Sequence, residues 1–119
     1  MNDVAGVPIV NRYRGPTIKP KQGDMTIWKD TLIDVFDDEN RANNMEQYFA
    51  YCYQNQGTKA MWAPLWISPK KGIGKGWITE LLHRIYGKNN FRPNLKYKSV
   101  TSNFNSWIIG TQFAVINEV

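Results

Sequence analysis

The spacing of apolar residues along the chain predicts three amphipathic helices. Apolar side chains recur every three or four residues, the period of a helix that buries one face, in residues 24–36, 41–56 and 75–86. Asp24 can cap the first of these helices, while Gly57 and Gly87 are placed to end the second and third. A shorter segment with the same spacing, 100–108, predicts a fourth helix that ends before Gly110.

Shorter apolar runs and glycine- or proline-rich segments predict the rest of the chain. The apolar run Met61–Ser68 predicts a buried strand that starts after Pro64 and ends at Ser68, and Phe113–Ile116 is typical of a buried parallel strand. Residues 1–23 hold three prolines and three glycines, which indicates an extended leader with at most one short strand around 7–13. The asparagine- and lysine-rich segment 88–98 is predicted to be a loop.

Composition limits the classes of protein to which the chain can belong. With 42% hydrophobic and 13% aromatic residues in 119, the chain can fold as one domain or part of one. No apolar run approaches the roughly 20 residues of a membrane span, and no secretory signal opens the chain. One cysteine and one histidine exclude an internal disulfide and a structural zinc site. A protein of the cytoplasm or of a virion interior is expected.

The net charge of +5 is concentrated in the second half of the chain. Residues 1–56 carry six Lys/Arg and eight Asp/Glu, whereas residues 57–119 carry nine Lys/Arg and two acids, Glu80 and Glu118. A basic region with so few carboxylates suits a polyanion-binding surface, although a simple solubilising surface has the same composition.

A glycine- and lysine-rich segment between the first predicted strand and the third helix has the context of a phosphate loop. Its residues, with the tryptophan that follows, are the predicted nucleotide-binding set: Pro69, Lys70, Lys71, Gly72, Ile73, Gly74, Lys75, Gly76 and Trp77. Glycines allow successive backbone N–H groups to converge on phosphate oxygens, and the positive end of the helix points to the same place. Lys75 can reach the β- and γ-phosphates of ATP.

The loop departs from the standard pattern G-x-x-x-x-G-K-[ST] at two positions. Pro69 stands in place of the first glycine, and Gly76 in place of the hydroxyl residue that normally holds Mg²⁺. A second motif, Phe113–Glu118, is an apolar strand that ends in Asn117 and Glu118. A carboxylate there can position Mg²⁺ and polarise the attacking water, so Glu118 and Lys75 are the predicted catalytic residues and Glu118 and Asn117 the predicted metal ligands.

These motifs together resemble a known family. The chain is similar to the helicase domain of phage and virus primase–helicase proteins, a superfamily 3, AAA+-related group of P-loop ATPases. The pieces that carry the resemblance are Tyr48–Tyr51, Gly57–Lys59, Leu65–Gly76, Glu80–Leu82, Gly87–Asn90, Asn103–Asn105 and Ala114–Glu118, with Asn11–Pro16 as a preceding linker. The resemblance divides the chain into a leader (1–23), a helical segment (24–57) and a partial P-loop core (58–119) with Walker A at 69–76 and Walker B at 113–118.

The resemblance implies a three-layer α/β fold and a function in DNA replication. It implies ATP hydrolysis with Mg²⁺, coupled to translocation of a homo-hexamer on single-stranded DNA in the cytoplasm of a phage-infected host, with a primase fused or associated. The family's sensor residue and arginine finger are expected beyond Val119, so the chain alone is expected to hydrolyse ATP weakly or not at all.

Single-stranded DNA contacts are also suggested by a basic stretch interleaved with aromatic rings. Its cationic members are Lys88, Arg92, Lys96 and Lys98, beside Phe91 and Tyr97. A solvated basic loop with the two rings packed inward is an equally reasonable interpretation. Two further functions remain open at this point: a small P-loop phosphotransferase of the kinase type, and a non-catalytic nucleic-acid-binding piece that retains the loop.

Overall fold

The computed structural model describes residues 2–4, 6–10, 13–103 and 106–117. The predicted metal and catalytic residue Glu118 lies outside these ranges. The elements in chain order are β1 (Asn2–Val4), β2 (Val7–Ile9), α1 (Thr26–Phe36), α2 (Glu39–Gln54), α3 (Lys75–Tyr86), β3 (Phe91–Lys96), α4 (Tyr97–Thr101), a short 3₁₀ helix (Ser106–Ile108) and β4 (Phe113–Asn117).

The leader contains two strands where at most one was predicted. β1 and β2 pair antiparallel, with Val4 opposite Val7, and Gly6 lies between them at φ 75°. Glycine adopts this left-handed backbone conformation without the steric cost that a side chain brings. The prediction missed the hairpin because strands of three residues are too short to show an alternating pattern.

Aspartates set the boundaries of the first two helices. The Asp24 carboxylate accepts hydrogen bonds from the backbone N–H of Thr26 at 2.9 Å and from its hydroxyl at 2.6 Å. The N-cap position of α1 is nevertheless Met25, which makes no side-chain cap, so the predicted helix start at Asp24 is wrong. Asp37 ends α1 in the left-handed conformation, at φ 55°. Asp38 then caps α2 by accepting from the backbone N–H of Arg41 at 2.8 Å. The second helix therefore begins two residues earlier than predicted.

The hydrophobic core joins the three long helices to the first residue of β3. Its buried residues are Leu32, Val35, Ala42, Met45, Phe49, Cys52, Ile78, Leu82, Tyr86 and Phe91. The helical period predicted from the sequence is therefore the period of burial in the structure. The Tyr86 hydroxyl, within this core, donates to the Phe49 carbonyl oxygen at 3.2 Å and ties α3 to α2.

A two-stranded parallel sheet underlies α3. β3 pairs with β4 so that Phe91 lies opposite Phe113 and Lys96 opposite Asn117. The prediction of a parallel strand at Phe113–Ile116 is confirmed, although its last residue, Ile116, is 41% exposed. Together with the helices, this pairing confirms a mixed α/β architecture with a parallel sheet.

The prediction of a loop at residues 88–98 is wrong, because β3 and the start of α4 lie within this segment. β3 contains Pro93, an unusual residue in a strand because proline cannot donate a ladder hydrogen bond. The structure accommodates it in an irregularity of the pairing between Arg92 and Leu95. The fourth predicted helix is likewise replaced by α4 and the 3₁₀ helix, which are separated by residues 102–105, of which 104 and 105 are not described.

The strand predicted at Met61–Ser68 is also wrong. No strand within the described ranges pairs with this segment, and Leu65 and Ile67 are 71% and 83% exposed. Pro64 and Trp66, in contrast, are partly buried. The apolar composition of a strand is present, but a strand also needs a backbone partner, and composition does not supply one.

Among the helices of the described residues, none combines the length and the apolar character that crossing a membrane requires.

Candidate functional site

Residues 69–76, which were predicted to be a phosphate loop and keep that name below, turn into α3 through two glycines in the left-handed backbone conformation. Gly72 has φ 75° and Gly74 has φ 107°. Gly74 occupies the N-cap position of α3, and its carbonyl oxygen accepts the first helical hydrogen bond from the Ile78 N–H at 3.1 Å. Both glycines have the conformational role predicted for them, because a residue with a side chain rarely adopts these angles.

Packing against α1 holds this turn in place. A Cβ atom built on Gly74 would lie 3.0 Å from Cγ2 of Val35, so the loop backbone sits directly on the first helix. Ile73 packs against the core cluster from the preceding position. At the other end of the loop, the Ser68 hydroxyl donates to the Lys70 carbonyl oxygen at 2.7 Å and accepts from the Lys70 N–H at 3.2 Å.

The N-terminus of α3 has no side-chain cap. Gly74 provides no capping side chain, so the first N–H groups of the helix, beginning at Lys75, have no intrahelical acceptor. Uncapped N–H groups and the helix dipole attract an anion to this position. Three lysines, Lys70, Lys71 and Lys75, surround the same turn. The ion pairs found among described residues, Lys29–Glu46 and Arg84–Glu80, involve none of these three lysines.

Trp77 presents an aromatic surface beside the loop. It occupies the first turn of α3 and is 45% exposed. Its ring lies 6.3 Å from the ring of Trp28, whose indole N–H donates to Glu46 at 3.1 Å. One side of Trp77 is thus supported by α1, while the rest of the ring is open to solvent and can stack on a base.

The ring contacts at the C-terminus of α3 indicate in which direction the helix runs over the sheet, and from them we infer where its N-terminus lies. The helix ends over the beginning of both strands, since the Tyr86 ring lies 5.9 Å from that of Phe91 and 5.4 Å from that of Phe113. α3 packs along β3, and its 12 residues span about 18 Å, close to the roughly 20 Å of a six-residue strand. The N-terminus of α3 therefore points towards the edge where β3 and β4 end.

Asn117 is fixed at this edge by a neighbour. Its side-chain N–H₂ donates to the side-chain oxygen of Asn94 on β3 at 2.7 Å, which leaves its own amide oxygen for another donor or a cation. Mg²⁺ is usually held by one or two carboxylates together with substrate phosphates. Within the described ranges no group of three His, Cys, Asp or Glu side chains could hold a metal. Asn117 fits as one neutral ligand, and the predicted role of Glu118 falls outside the described residues.

The predicted DNA-contacting residues do not form one cluster. Lys88 and Arg92 lie where β3 begins, whereas Lys96 ends β3 and Lys98 lies on α4. Four residues of strand, about 13 Å, separate Arg92 from Lys96. The two pairs therefore lie at opposite edges of the sheet, and only Lys96 and Lys98 lie towards the edge that the phosphate loop faces.

Sequence reasoning missed the organising role of Asn90. This residue is 3% exposed, and its side-chain N–H₂ donates to the carbonyl oxygens of Arg14, at 2.6 Å, and Tyr86, at 3.0 Å. Its own carbonyl oxygen accepts from the N–H groups of Gln112 and Phe113. Asn90 thus joins the leader, α3 and β4. No sequence signal distinguished it from the solvated asparagines beside it.

Comparison of the chain with protein-family models, with curated proteins and with solved structures found no match.

Proposed function

We propose that the chain binds ATP through residues 69–77 as the nucleotide-binding part of a phage-type replicative DNA helicase with a P-loop, AAA+-like core. One observation carries the ATP-binding part of this proposal. Left-handed Gly72 and Gly74 direct a lysine-rich turn into the uncapped N-terminus of a helix that packs on a parallel sheet. Convergent N–H groups, a helix dipole and unpaired ammonium groups are the features that recognise a triphosphate.

Each residue of the loop has a distinct part in this proposal. The backbone N–H groups of residues 72–76 donate to β- and γ-phosphate oxygens, while the Lys75 ammonium neutralises charge between them. Hydrogen bonds to charged groups contribute about 1.5–3 kcal/mol each, so a few of them account for useful affinity. The exposed part of Trp77 stacks on the base. Asn117 provides one oxygen to Mg²⁺, and Glu118 would complete the site. When bound, Mg²⁺ would lower the negative charge of the phosphates.

The order of elements and the family resemblance support the helicase part of the proposal. The proposed phosphate loop is followed along the chain by α3, β3, α4, the 3₁₀ helix and β4. β4 pairs parallel with β3 and ends at the polar residue Asn117. The basic residues Lys96 and Lys98 lie towards the same edge and suit a nucleic-acid strand. Assembly as a homo-hexamer with a fused or associated primase follows from the resemblance alone.

Residue-resolved NMR of the 119-residue chain tests ATP binding. Titration with ATP and Mg²⁺ should give saturable shifts of the Gly72, Gly74 and Gly76 amides. Lys75→Ala should weaken the affinity read from these amides about tenfold or more, because one charge-assisted contact is lost. Lys59→Ala, which removes an exposed lysine just after α2, is the control and should leave this affinity unchanged. Loop amides that do not respond, or an affinity that Lys75→Ala leaves intact, would contradict the proposal.

A second experiment separates a helicase from the two other functions. In an ATPase assay with Mg²⁺, single-stranded DNA should stimulate ATP hydrolysis several-fold over the basal rate of the protein. Transfer of the γ-phosphate to a small acceptor without this stimulation would indicate a phosphotransferase. DNA binding with no response of the loop to ATP would indicate a nucleic-acid-binding piece without catalysis.

A further inference from the structure

A surface cavity of about 420 Å³ lies at the end of the sheet where both strands begin, opposite the edge that the phosphate loop faces. The leader forms one wall of the cavity, and the segments that precede β3 and β4 form the others. The lining residues that matter here are Val10, Tyr13, Arg14, Asn89, Arg92 and Ile109. We call this cavity the guanidinium pocket, because two arginines, Arg14 and Arg92, line it.

Hydrogen bonds through Asn90 fix the walls of the guanidinium pocket. The buried Asn90 side chain holds the leader at the Arg14 carbonyl oxygen and α3 at the Tyr86 carbonyl oxygen. Its backbone oxygen accepts from Gln112 N–H at 2.7 Å, which fixes the segment leading into β4. The three segments that line the pocket are therefore connected through one residue, and the pocket has a definite shape without a ligand.

Two arginines and no acidic residue are among the residues that line the guanidinium pocket. Its walls come from two stretches, residues 4–23 and 81–117, that contain no aspartate or glutamate. Neither Arg14 nor Arg92 has an ion-pair partner among the residues that the structure describes. Nη1 of Arg92 donates to the carbonyl oxygens of Lys88, Asn89 and Phe91 at 3.2–3.5 Å, which orients the guanidinium. Its Nε and Nη2 groups make no such bonds in the described part of the chain and remain for a ligand.

Apolar side chains lie beside this charge. Val10 is 77% exposed, Ile109 57% and Tyr13 49%, so two arginines and exposed apolar and aromatic residues line the same pocket. A planar guanidinium donates two parallel hydrogen bonds to a phosphate, and an aromatic or aliphatic surface accepts a flat ring. A volume of 420 Å³ falls in the range of about 300–1,000 Å³ that is typical of small-molecule sites.

We propose that the guanidinium pocket binds one nucleotide unit, with its phosphate between Arg14 and Arg92 and its base against Val10, Ile109 and Tyr13. The unit comes either from a free mononucleotide or from one position of a single-stranded nucleic acid, and the two sources share this chemistry. Binding here is independent of ATP at the phosphate loop, because the two sites lie at opposite ends of the sheet.

The test uses the whole 119-residue chain and residue-resolved NMR. The probes are thymidine 5′-monophosphate, the oligonucleotide (dT)₆, thymidine and inorganic phosphate. The reporters are the side-chain amide of Asn90, the backbone amide of Asn89 and the side-chain Nε–H of Arg92. We expect saturable shifts with thymidine 5′-monophosphate or with (dT)₆, and the probe that binds tighter identifies the source. Thymidine or phosphate alone should bind at least about tenfold more weakly than the probe that carries both parts.

Substitutions assign this binding to the two arginines. Arg14→Gln should weaken it about tenfold, and it removes no hydrogen bond made by a described side chain. Arg92→Gln should weaken the binding to a similar extent. Arg92→Lys should weaken it less, because lysine keeps the positive charge but cannot donate the two parallel hydrogen bonds of a guanidinium. Arg84→Gln, which removes the same charge from an exposed position on α3, is the matched control and should have no effect.

The outcomes separate this site from the phosphate loop. Shifts at the pocket that persist in Lys75→Ala support an independent site, whether or not ATP binds the loop. The proposal is overturned if the pocket reporters do not respond to either nucleotide probe, or if phosphate binds as tightly as thymidine 5′-monophosphate. It is also overturned if Arg14→Gln has no larger effect than Arg84→Gln.

Discussion

Substitution of Gly74 by alanine tests whether the phosphate loop is seated on α1 as the structure has it. Two effects act on the folded state. A residue with a side chain at φ 107° is strained by about 1–3 kcal/mol. The new Cβ atom would also lie 3.0 Å from Cγ2 of Val35, and relief of such overpacking costs about 1 kcal/mol or more. Alanine also lowers the conformational entropy of the unfolded chain, which stabilises the folded state by about 0.4–1 kcal/mol. The expected net loss is about 1–4 kcal/mol.

A double-mutant cycle with Val35→Ala separates the two effects. The shorter side chain removes the Cγ2 atom that the new Cβ would meet, so Gly74→Ala should cost about 1 kcal/mol less in the Val35→Ala background. Gly76→Ala is the matched control. Gly76 lies within α3, has no left-handed φ, and has open space where a Cβ would be placed. Alanine should therefore be neutral there, or stabilising by up to about 1 kcal/mol.

Urea unfolding followed by far-ultraviolet circular dichroism measures these free energies, and the same variants can be titrated with ATP. Gly74→Ala should also weaken ATP binding, because a loop displaced from Val35 no longer aims its N–H groups at one point. Two results would refute the reasoning. One is a Gly74→Ala variant as stable as Gly76→Ala, and the other is an equal cost of Gly74→Ala in both backgrounds.

Three further predictions concern neighbouring features. Gly76→Ser fits the open space at that position and adds a hydroxyl ligand for Mg²⁺. ATP affinity should therefore rise when Mg²⁺ is present and stay unchanged when a chelator removes it. A rise under both conditions would contradict this prediction. Asp38→Ala should lower the free energy of unfolding in urea by about 1 kcal/mol, whereas Asp38→Asn should leave it almost unchanged because asparagine keeps the helix cap. Equal losses in the two variants would argue against the cap. Burial raises the pKa of Tyr48 to about 12 and raises the pKa values of Tyr86 and Cys52. As the pH rises, these groups lose their protons in the unfolded chain before they do so in the folded chain, so the free energy of unfolding should fall above about pH 8.5, where a free thiol titrates. Cys52→Ala removes the thiol, and the fall should then begin near pH 10, where free tyrosines titrate. A free energy of unfolding that stays constant from pH 8 to 11 would disprove this.

The parts of the fold that follow from local physics could be predicted from the sequence. The limits of α3 match the prediction, because a full apolar stripe lies between glycines that suit its two ends. The left-handed turns at Gly72 and Gly74 also follow from residue type, since the glycines allow a conformation that the loop requires. β4 was recognisable because its apolar run is short and lies between turn residues.

The parts that depend on distant partners could not be predicted. β3 carries a proline and several polar residues, and only its pairing with β4 makes it a strand. Met61–Ser68 has the opposite character, since it is apolar without a partner in the described ranges. The pocket at Arg14 and Arg92 joins residues nearly eighty positions apart, so no local pattern could reveal it. Of the candidate site, the loop was predictable, whereas its relation to Asn117 required the direction of α3.

The most direct test of the central claim, that the phosphate loop and the end of β4 bind the same nucleotide, is paramagnetic broadening by Mn²⁺ in place of Mg²⁺. ATP with Mn²⁺ should broaden the amides of Gly72, Gly74 and Lys75 together with the side-chain amide of Asn117, while Mn²⁺ without ATP should leave all four sharp. Broadening that reaches the loop without Asn117, or that leaves the loop sharp, would contradict the account.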